Sequence, residues 1–488
     1  MKRSKHNLSH YHLTTADMGQ LIPIGCVEAL PGDSFRHQTS ALIRVTPQLK
    51  PLMHPIQARI HHFFVPNRLV WSGWEEFITD QSGAAAVPTI SGGAHTEGDL
   101  SDYLGIYDDA SNDFSALPIR AYNKIYNEYY RDQDVIAEVS EDTNVVQKIA
   151  WGKDRFTAAR SSPQQGTAVS LPLGTSAPVR GIGVLNAGIG TTTTRTVREA
   201  GNSATTDIDG WEIISTQETI SGSQAKLVME ENGAGTPYPA IHADLSNATA
   251  ATIAELREAF ALQKYAEARA NWGENYVDYL KYIGVNPSDS RLQRPEFLGG
   301  GRQGLSFSEV LNTTGANDPG SMVGHGIGAM RSNKYQRYFE EHGWVISLLS
   351  VRPRSIYVEA LPKKFTRFNM EDYYQKELAG IGDEEVLNKE MYAPDSGPDD
   401  VFGYSPRYDT YRHENSYVSA EMRNSTNYDW HLGRIFGGDV ALNQSFIECS
   451  PTKRAFAEQS EDSLWIMVNH NLQARRMVNK NAHYAGLV

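Results

Sequence analysis

Alternation of apolar and polar positions is clearest towards the two ends of the chain. It predicts short strands over Leu21–Leu30, Ser40–Val45 and Ile56–Val65, punctuated by Pro31-Gly32-Asp33 and by the stretch from Pro47 to Pro55. In Ile56–Val65 the alternation gives way to Phe63-Phe64-Val65, as expected where a strand passes from a half-exposed position into a core. Trp71, Trp74, Phe77 and Ile78 follow at helical spacing and predict a short amphipathic helix. Strand patterning resumes at Trp344–Val351 and Ser355–Val358, and the last clear strand is Leu464–Asn471.

The middle of the chain reads differently. Thr252-x-x-Glu255 fits a capping box, and Ile253, Leu256, Ala259 and Phe260 begin an apolar face that continues through Leu262 and Ala266 to Tyr276, Tyr279, Leu280 and Ile283. Gly273 interrupts this pattern and Gly284 ends it, which predicts one kinked helix or two in tandem. Gly299-Gly300-Gly301 and Gly324-His325-Gly326-Ile327-Gly328 predict irregular backbone. From Gly166 to Gly235 the chain is rich in Gly, Thr, Ser and Ala, which suits an insertion with its own hairpins projecting from the main body. Strands at both ends with helices and loops between them suit a β-sandwich whose long connections carry the extra mass.

Charge narrows the function. The 488 residues are 40% hydrophobic with 24 Tyr and 8 Trp, enough for a sizeable core, but the net charge is −13. Such a body repels nucleic acid unless its basic residues are gathered on one surface. The most cationic short stretch is the N-terminal Lys2, Arg3 and Lys5 with His6, His10 and His12, a candidate DNA-contacting arm; a disordered solubilising tail is the competing reading. About three phosphate contacts give a salt slope near −2, weak for one chain but effective when many copies act together. Two cysteines, Cys26 and Cys449, favour a reduced folding compartment, with a disulfide feasible only if the termini meet. No apolar signal core and no membrane-length apolar window is visible, so a soluble, unexported chain without membrane insertion is expected.

The search for chemistry returns near misses. Gly181-Ile182-Gly183 lacks its third glycine, Asn186 standing there, and His413-Glu414 lacks the second histidine of a zinc-protease helix, Tyr417 occupying its place. The adjacent His61-His62 point to opposite faces of a strand and suit packing better than shared metal ligation. Asp132/Asp134 and Asp383-Glu384-Glu385 offer carboxylates for a hard cation, though a solvated acidic face is the plainer reading. Neither an enzyme nor a cofactor is expected.

Several motifs resemble the major capsid proteins of microviruses, the small tailless single-stranded DNA phages, and their gokushovirus branch above all. They are His62-Phe63-Phe64-Val65-Pro66-Asn67-Arg68-Leu69-Val70-Trp71 with Trp74-Glu75-Glu76-Phe77; Ile119 to Asp132; Leu256-Arg257 to Lys264; Arg291-Leu292-Gln293-Arg294-Pro295-Glu296-Phe297-Leu298-Gly299-Gly300; and Phe402-Gly403-Tyr404-Ser405-Pro406-Arg407-Tyr408 with Tyr411-Arg412. The resemblance implies a mainly β fold, an eight-stranded antiparallel jelly roll with long loop and helical insertions. It also implies self-assembly into a T=1 icosahedral shell around circular single-stranded DNA, in the bacterial host cytoplasm. The implied partners are a small basic DNA-binding protein, an internal scaffolding protein, a DNA pilot protein and a host surface receptor. On this reading residues 1–180 are the N-terminal part of the jelly roll with aromatic helical connections, 181–249 an insertion forming a surface protrusion, and 250–488 a helical insertion with the C-terminal part. Phe63, Phe64, Trp71 and Trp74 are then core or subunit-interface packing; Arg407 and Arg412 either pair acids across an interface or contact DNA phosphate. The alternative is a carbohydrate-binding or hydrolytic jelly-roll protein, which needs paired carboxylates near one cleft.

Overall fold

The computed structural model describes residues 3–164 apart from 82, 84, 92–95 and 108–111, residues 253–311 apart from 274, residues 322–479, residues 166 and 169, and short strand segments between 179 and 243. The chain divides into two compact units, Met1–Gln165 with Glu267–Val488, and Gly166–Ala266.

Eleven strands of the first unit form two antiparallel sheets: β1 (Ser4–Asn7), β2 (His10–Ala16), β3 (Leu21–Ala29), β4 (Ser34–Gln48), β5 (Ile56–Pro66), β6 (Glu296–Gly304), β7 (Ser306–Leu311), β8 (Met322–Arg331), β9 (Tyr335–Tyr338), β10 (Gly343–Pro353) and β11 (Leu464–Arg476). In the first sheet β11 pairs with β1 and β2 on one edge and with β4 on the other; β4 pairs onward with β8 and β9, and β8 with β7. The second sheet runs β6-β5-β10-β3. Thus the first and last strand runs read from the sequence lie in two different sheets, brought together only by folding.

Strict alternation in β4 and β11 follows from one covered face. Phe35, Ala41, Ile43 and Val45 of β4 and Leu464, Ile466, Val468 and Leu472 of β11 point inward, while Arg36, Arg44, Trp465, Met467 and Arg475 point outward. Of these, Ala41, Ile43, Val45, Leu464, Ile466 and Val468 meet Ile22 and Ile24 of β3, Ala58 and Ile60 of β5 and Leu349 and Val351 of β10 in one core between the sheets, while Phe35 and Leu472 join Phe64, Phe339 and Val345 in a second. Each fully buried aliphatic side chain there contributes about 1.5–3 kcal/mol. Alternation fails in β5 because both its faces are covered: Phe63 and Val65 point away from that core and pack beneath helix α1 (Leu117–Tyr129). Ile119, Tyr122, Ile125 and Tyr126 of α1 bury the same face. The Tyr122 hydroxyl donates to the Leu21 carbonyl at 2.7 Å and accepts from the Gln147 amide at 3.0 Å, which pins the helix across the sheet.

The structure corrects one sequence reading and refines two others. Both glycine clusters lie in strands, β6 and β8, and the irregular backbone read there is confined to a register shift in each, between Phe297 and Gly299 and between Gly324 and Gly326; elsewhere glycine serves close approach, since a Cβ on Gly328 would stand 2.2 Å from Leu305 Cδ2, and one on Gly300 2.3 Å from the Ile60 carbonyl oxygen. Ser355–Val358 forms no strand; Tyr357 makes only isolated bridges to Tyr417 and Arg434, because its ring belongs to a satellite core with Phe156, Phe402 and Phe446. The apolar face read from Ile253 onward is largely uncovered at its start, Ile253 being 72% and Phe260 66% exposed, because periodicity reports a stripe and not what covers it. The helices themselves are as read, α2 (Ile253–Trp272) and α3 (Tyr276–Tyr282) in tandem, separated at Gly273, whose φ is +99°; Thr252 lies outside the described residues.

In the second unit the described backbone forms antiparallel pairs: Ile182–Ala187 with Ala225–Glu230, Thr196–Arg198 with Thr205–Asp207, and Val179–Arg180 with His242–Ala243. The remainder of 181–249 lies outside the described residues.

A polar seam crosses the core of the first unit. His37 of β4 and His470 of β11 are hydrogen bonded at 3.1 Å through Nε2 and Nδ1; His37 Nδ1 meets the Tyr335 hydroxyl at 3.0 Å, and His470 Nε2 reaches the Ile24 carbonyl at 2.8 Å. One set of tautomers satisfies this chain with both rings neutral: Tyr335 donates to His37, His37 to His470, and His470 to Ile24. His62 of β5 joins them at 5.0 Å between ring centroids from His37, and bonds Ser347 Oγ at 2.8 Å. His61 faces the opposite way, as its place in the strand requires, and bonds the Tyr130 hydroxyl at 2.7 Å.

Candidate nucleic-acid interface

The outward face of the first sheet gathers cations from distant parts of the chain. Lys5 of β1 is in register with Arg475 of β11, Arg36 of β4 with Gln473, Arg44 of β4 with Trp465, and Arg331 of β8 with Ser40. Cross-strand partners share a face, so the antiparallel ladder places five basic side chains on one surface. Lys5, Arg36, Arg44, Arg331 and Arg475 are all exposed, and none makes an ion pair among the described residues. Strands β1, β2, β4, β8, β9 and β11 contain no Asp or Glu, in a chain that holds 58 of them, and the seventh strand of the sheet, the edge strand β7, holds only Glu309. Negative charge is therefore sparse along this sheet, the condition under which an acidic protein can hold a polyanion.

Apolar rings interleave with the cations. Tyr11 is 69% exposed and Trp465 49%, while Asn469, Asn471 and Gln473 supply amides along β11. Exposed rings on a flat basic sheet offer stacking platforms for unpaired bases, an arrangement that tolerates any sequence.

The N-terminal arm takes part only in fragments. Lys2 lies outside the described residues. Arg3 donates to the Gly32 carbonyl at 3.1 Å and to Ser34 Oγ at 3.0 Å, and stacks over Tyr338, so its guanidinium is engaged within the chain. From Ser4 to Asn7 the arm is strand β1, so these residues are not the free tail weighed as the competing reading. Arg36, Arg44, Arg331 and Arg475 escaped the sequence reading; their signal was arginine at the outward positions of alternating strands.

The other candidates scatter. Phe63 and Phe64 are buried, in the clusters on either side of β5, and Trp71 and Trp74 are half-buried with Phe77 in an aromatic group beside α1. Arg412 pairs with Asp409 at 3.7 Å within the same chain, and Arg407 lies over the Tyr408 ring with its buried Nε unpartnered. His413 Nε2 stands 3.6 Å from Asp409, and Glu414 pairs with Lys364. The acidic groups are occupied by basic side chains: Asp132 by Lys153, Asp134 by Arg160, and Glu384 by Arg155 at 3.1 Å and Lys363 at 3.4 Å. Among the described residues no group of three His, Cys, Asp or Glu is placed to hold a metal ion. Cys26 and Cys449 are both free thiols, and burial pushes each up to about 12.

Comparison with known proteins places this sheet in its family. Residues 1–482 match the family model described as capsid protein (F protein). Capsid protein VP1 of Bdellovibrio phage phiMH2K is 33% identical, the match covering 94% of this chain and 90% of that protein. Capsid protein VP1 of Chlamydia phage 1 is 29% identical over 94% and 91% of the two chains, and capsid protein F of Escherichia phage G4 is 25% identical over 36% and 42%. A match over nearly the whole length leaves no part of the two-sheet body unaccounted for: the chain belongs to the capsid protein (F protein) family, as a structural major capsid protein of the gokushovirus branch of the microviruses.

Proposed function

We propose that this chain closes into a T=1 icosahedral shell around a circular single-stranded DNA genome, with the outward face of the first sheet turned towards the DNA. The observation that carries this reading is the lack of carboxylates in the four strands that bear Lys5, Arg36, Arg44, Arg331 and Arg475. An eight-stranded jelly roll is the fold this reading requires, and the strand orders β2-β11-β4-β8 and β3-β10-β5-β6 support it, since each sheet draws alternately on early and late parts of the chain. Residues 1–180 and 250–488 supply these strands on this reading, and 181–249 is the protrusion that meets the host receptor; the separate unit Gly166–Ala266 supports that division. An acidic shell subunit calls for a small basic DNA-binding protein to neutralise the rest of the genome, alongside scaffolding and pilot proteins during assembly in the bacterial cytoplasm.

Titration of the purified chain with oligodeoxythymidine at several salt concentrations tests the assignment. Each arginine that holds a phosphate contributes about −0.7 to the slope of log K against log salt on a single strand. R36Q and R475Q should each remove about that much while far-UV circular dichroism stays unchanged. An unaltered slope in the double variant would remove this face from the DNA.

A further inference from the structure

The second sheet carries a different charge problem on its own outward face. Arg302 of β6 stands in direct register with Arg59 of β5, and Arg352 of β10 with Gln57, two residues along β5 on the same face. Three guanidinium groups thus lie on three adjacent strands. Like charges opposed across a ladder destabilise it. Among the described residues none of the three makes an ion pair; Arg59 Nη2 donates to Gln57 Oε1 at 3.2 Å and Arg352 Nη1 to the Ala150 carbonyl at 2.9 Å. The acids nearby are already taken, Asp289 by Arg294 at 2.8 Å and Asp132 by Lys153. Burial and the neighbouring Arg59 lower the Arg352 pKa, and burial with both arginines brings that of His61 down to about 4, so the missing partner is an anion.

Arg59 and Arg352, with Lys153, Arg294 and Asp289, line a cavity of about 610 Å³, within the range of small-molecule sites. His61 and Tyr130, tied to each other, form part of its wall, and the Phe297 ring, 45% exposed, stands beside them with its centroid 5.4 Å from that of His61. A pair of arginine forks matches the oxygens of a phosphate, and an exposed aromatic face matches the apolar face of a sugar ring. This face lies on the far side of the sandwich from the basic face of the first sheet.

We propose that this cavity binds a phosphorylated sugar presented from outside the shell, with its phosphate between Arg59 and Arg352 and its ring against Phe297. The direction of approach rests on the genome-facing reading of the first sheet; the site itself rests only on the arginine register and the cavity. Arg302, at the exposed edge, draws the anion in.

Isothermal titration of the purified full-length chain with glucose 1-phosphate, inorganic phosphate, glucose and dTMP tests this. Glucose 1-phosphate should bind more tightly than phosphate or glucose alone, and R59Q and R352Q should each weaken it by about tenfold or more. F297A should weaken glucose 1-phosphate and leave inorganic phosphate unchanged. Without ligand, R59Q should melt no lower than the parent, because it relieves repulsion; a large drop in melting temperature would make Arg59 a structural residue and overturn the site. R302Q, at an exposed position, provides a folded variant in any case and should also weaken binding. Glucose binding as tightly as its phosphate, or arginine variants without effect, would overturn the proposal. Tighter binding of dTMP would reassign the cavity to a nucleotide. Because the salt-slope experiment on Arg36 and Arg475 reads a different sheet, either assignment can fail alone.

Discussion

Acid should unfold this protein through the histidine seam. His37, His62 and His470 are 2%, 0% and 1% exposed and join β4, β5 and β11 across the two sheets. The groups that face them are His10, stacked on His470 at 4.7 Å, together with His12, His61, the Tyr335 hydroxyl, Thr39 and Ser347. Among the described residues no carboxylate acts on any of the three rings. Burial, and then the neighbouring histidines, bring them down from the ordinary 6.5 to about 2 for His37, about 3 for His62 and about 4 for His470. A folded-state pKa below the unfolded one means that the unfolded chain binds more protons, so stability is complete above about pH 6.5 and falls as the pH drops towards the folded values. At pH 5, one and a half units below the ordinary value, each ring costs about 2 kcal/mol, or about 6 kcal/mol for the three. That is comparable with the whole stability of an ordinary domain, about 5–15 kcal/mol. Asp33, Asp383 and Glu390, whose carboxyls burial pushes upward, act in the opposite sense and soften the fall. Urea unfolding followed by tryptophan fluorescence at pH 7.5, 6.0 and 5.0 measures it, in the parent and in H37Q/H470Q. The midpoint of the parent should collapse between pH 6 and 5, and the slope of the variant should be shallower by about two protons. A parent midpoint independent of pH over this range would refute the reasoning.

The remaining predictions concern single contacts. Y122F leaves the Leu21 carbonyl and the Gln147 amide without their buried partner and should lower urea stability by about 2–3 kcal/mol. G328A meets only the flexible end of Leu305 and should cost about 1–3 kcal/mol, whereas G19A, with φ +95° and a Cβ 1.9 Å from the Cys449 carbonyl oxygen, should yield no soluble protein. R155Q removes the buried partner of Glu390, 3.3 Å away, and should cost about 3–5 kcal/mol at pH 7.5. Part of that loss should return on mild acidification as Glu390 takes up a proton; a loss that deepens would contradict the pairing.

How much of this was legible in the sequence depends on range. β3, β5, β10 and β11 could be read because alternation and apolar runs are local consequences of a covered face. The strand β8 could not, since Gly324, Gly326 and Gly328 present no pattern, and the reason for them is Gln48 with Pro51, Phe307 and Leu305, respectively, packing close by in the fold. The helices α2 and α3 were visible with their break at Gly273, but a stripe such as Ile253 and Phe260 does not name its cover. The basic face was missed because Arg36, Arg44, Arg331 and Arg475 span most of the chain, and only the pairing of β4 with β8 and β11 assembles them. The N-terminal cluster was conspicuous for being contiguous, yet Arg3 spends its guanidinium on Gly32 and Ser34. The histidine seam was hidden for the same reason, its members coming from three distant strands.

The central claim, a shell subunit whose basic first sheet faces its genome, is tested most directly by a cryo-electron microscopy reconstruction of particles from cells co-expressing this chain with its small phage proteins and single-stranded DNA. The account predicts closed T=1 shells with Arg36, Arg44 and Arg475 on the inner wall against nucleic-acid density. Closed shells with that sheet on the outside, or soluble oligomers without a shell, would contradict it.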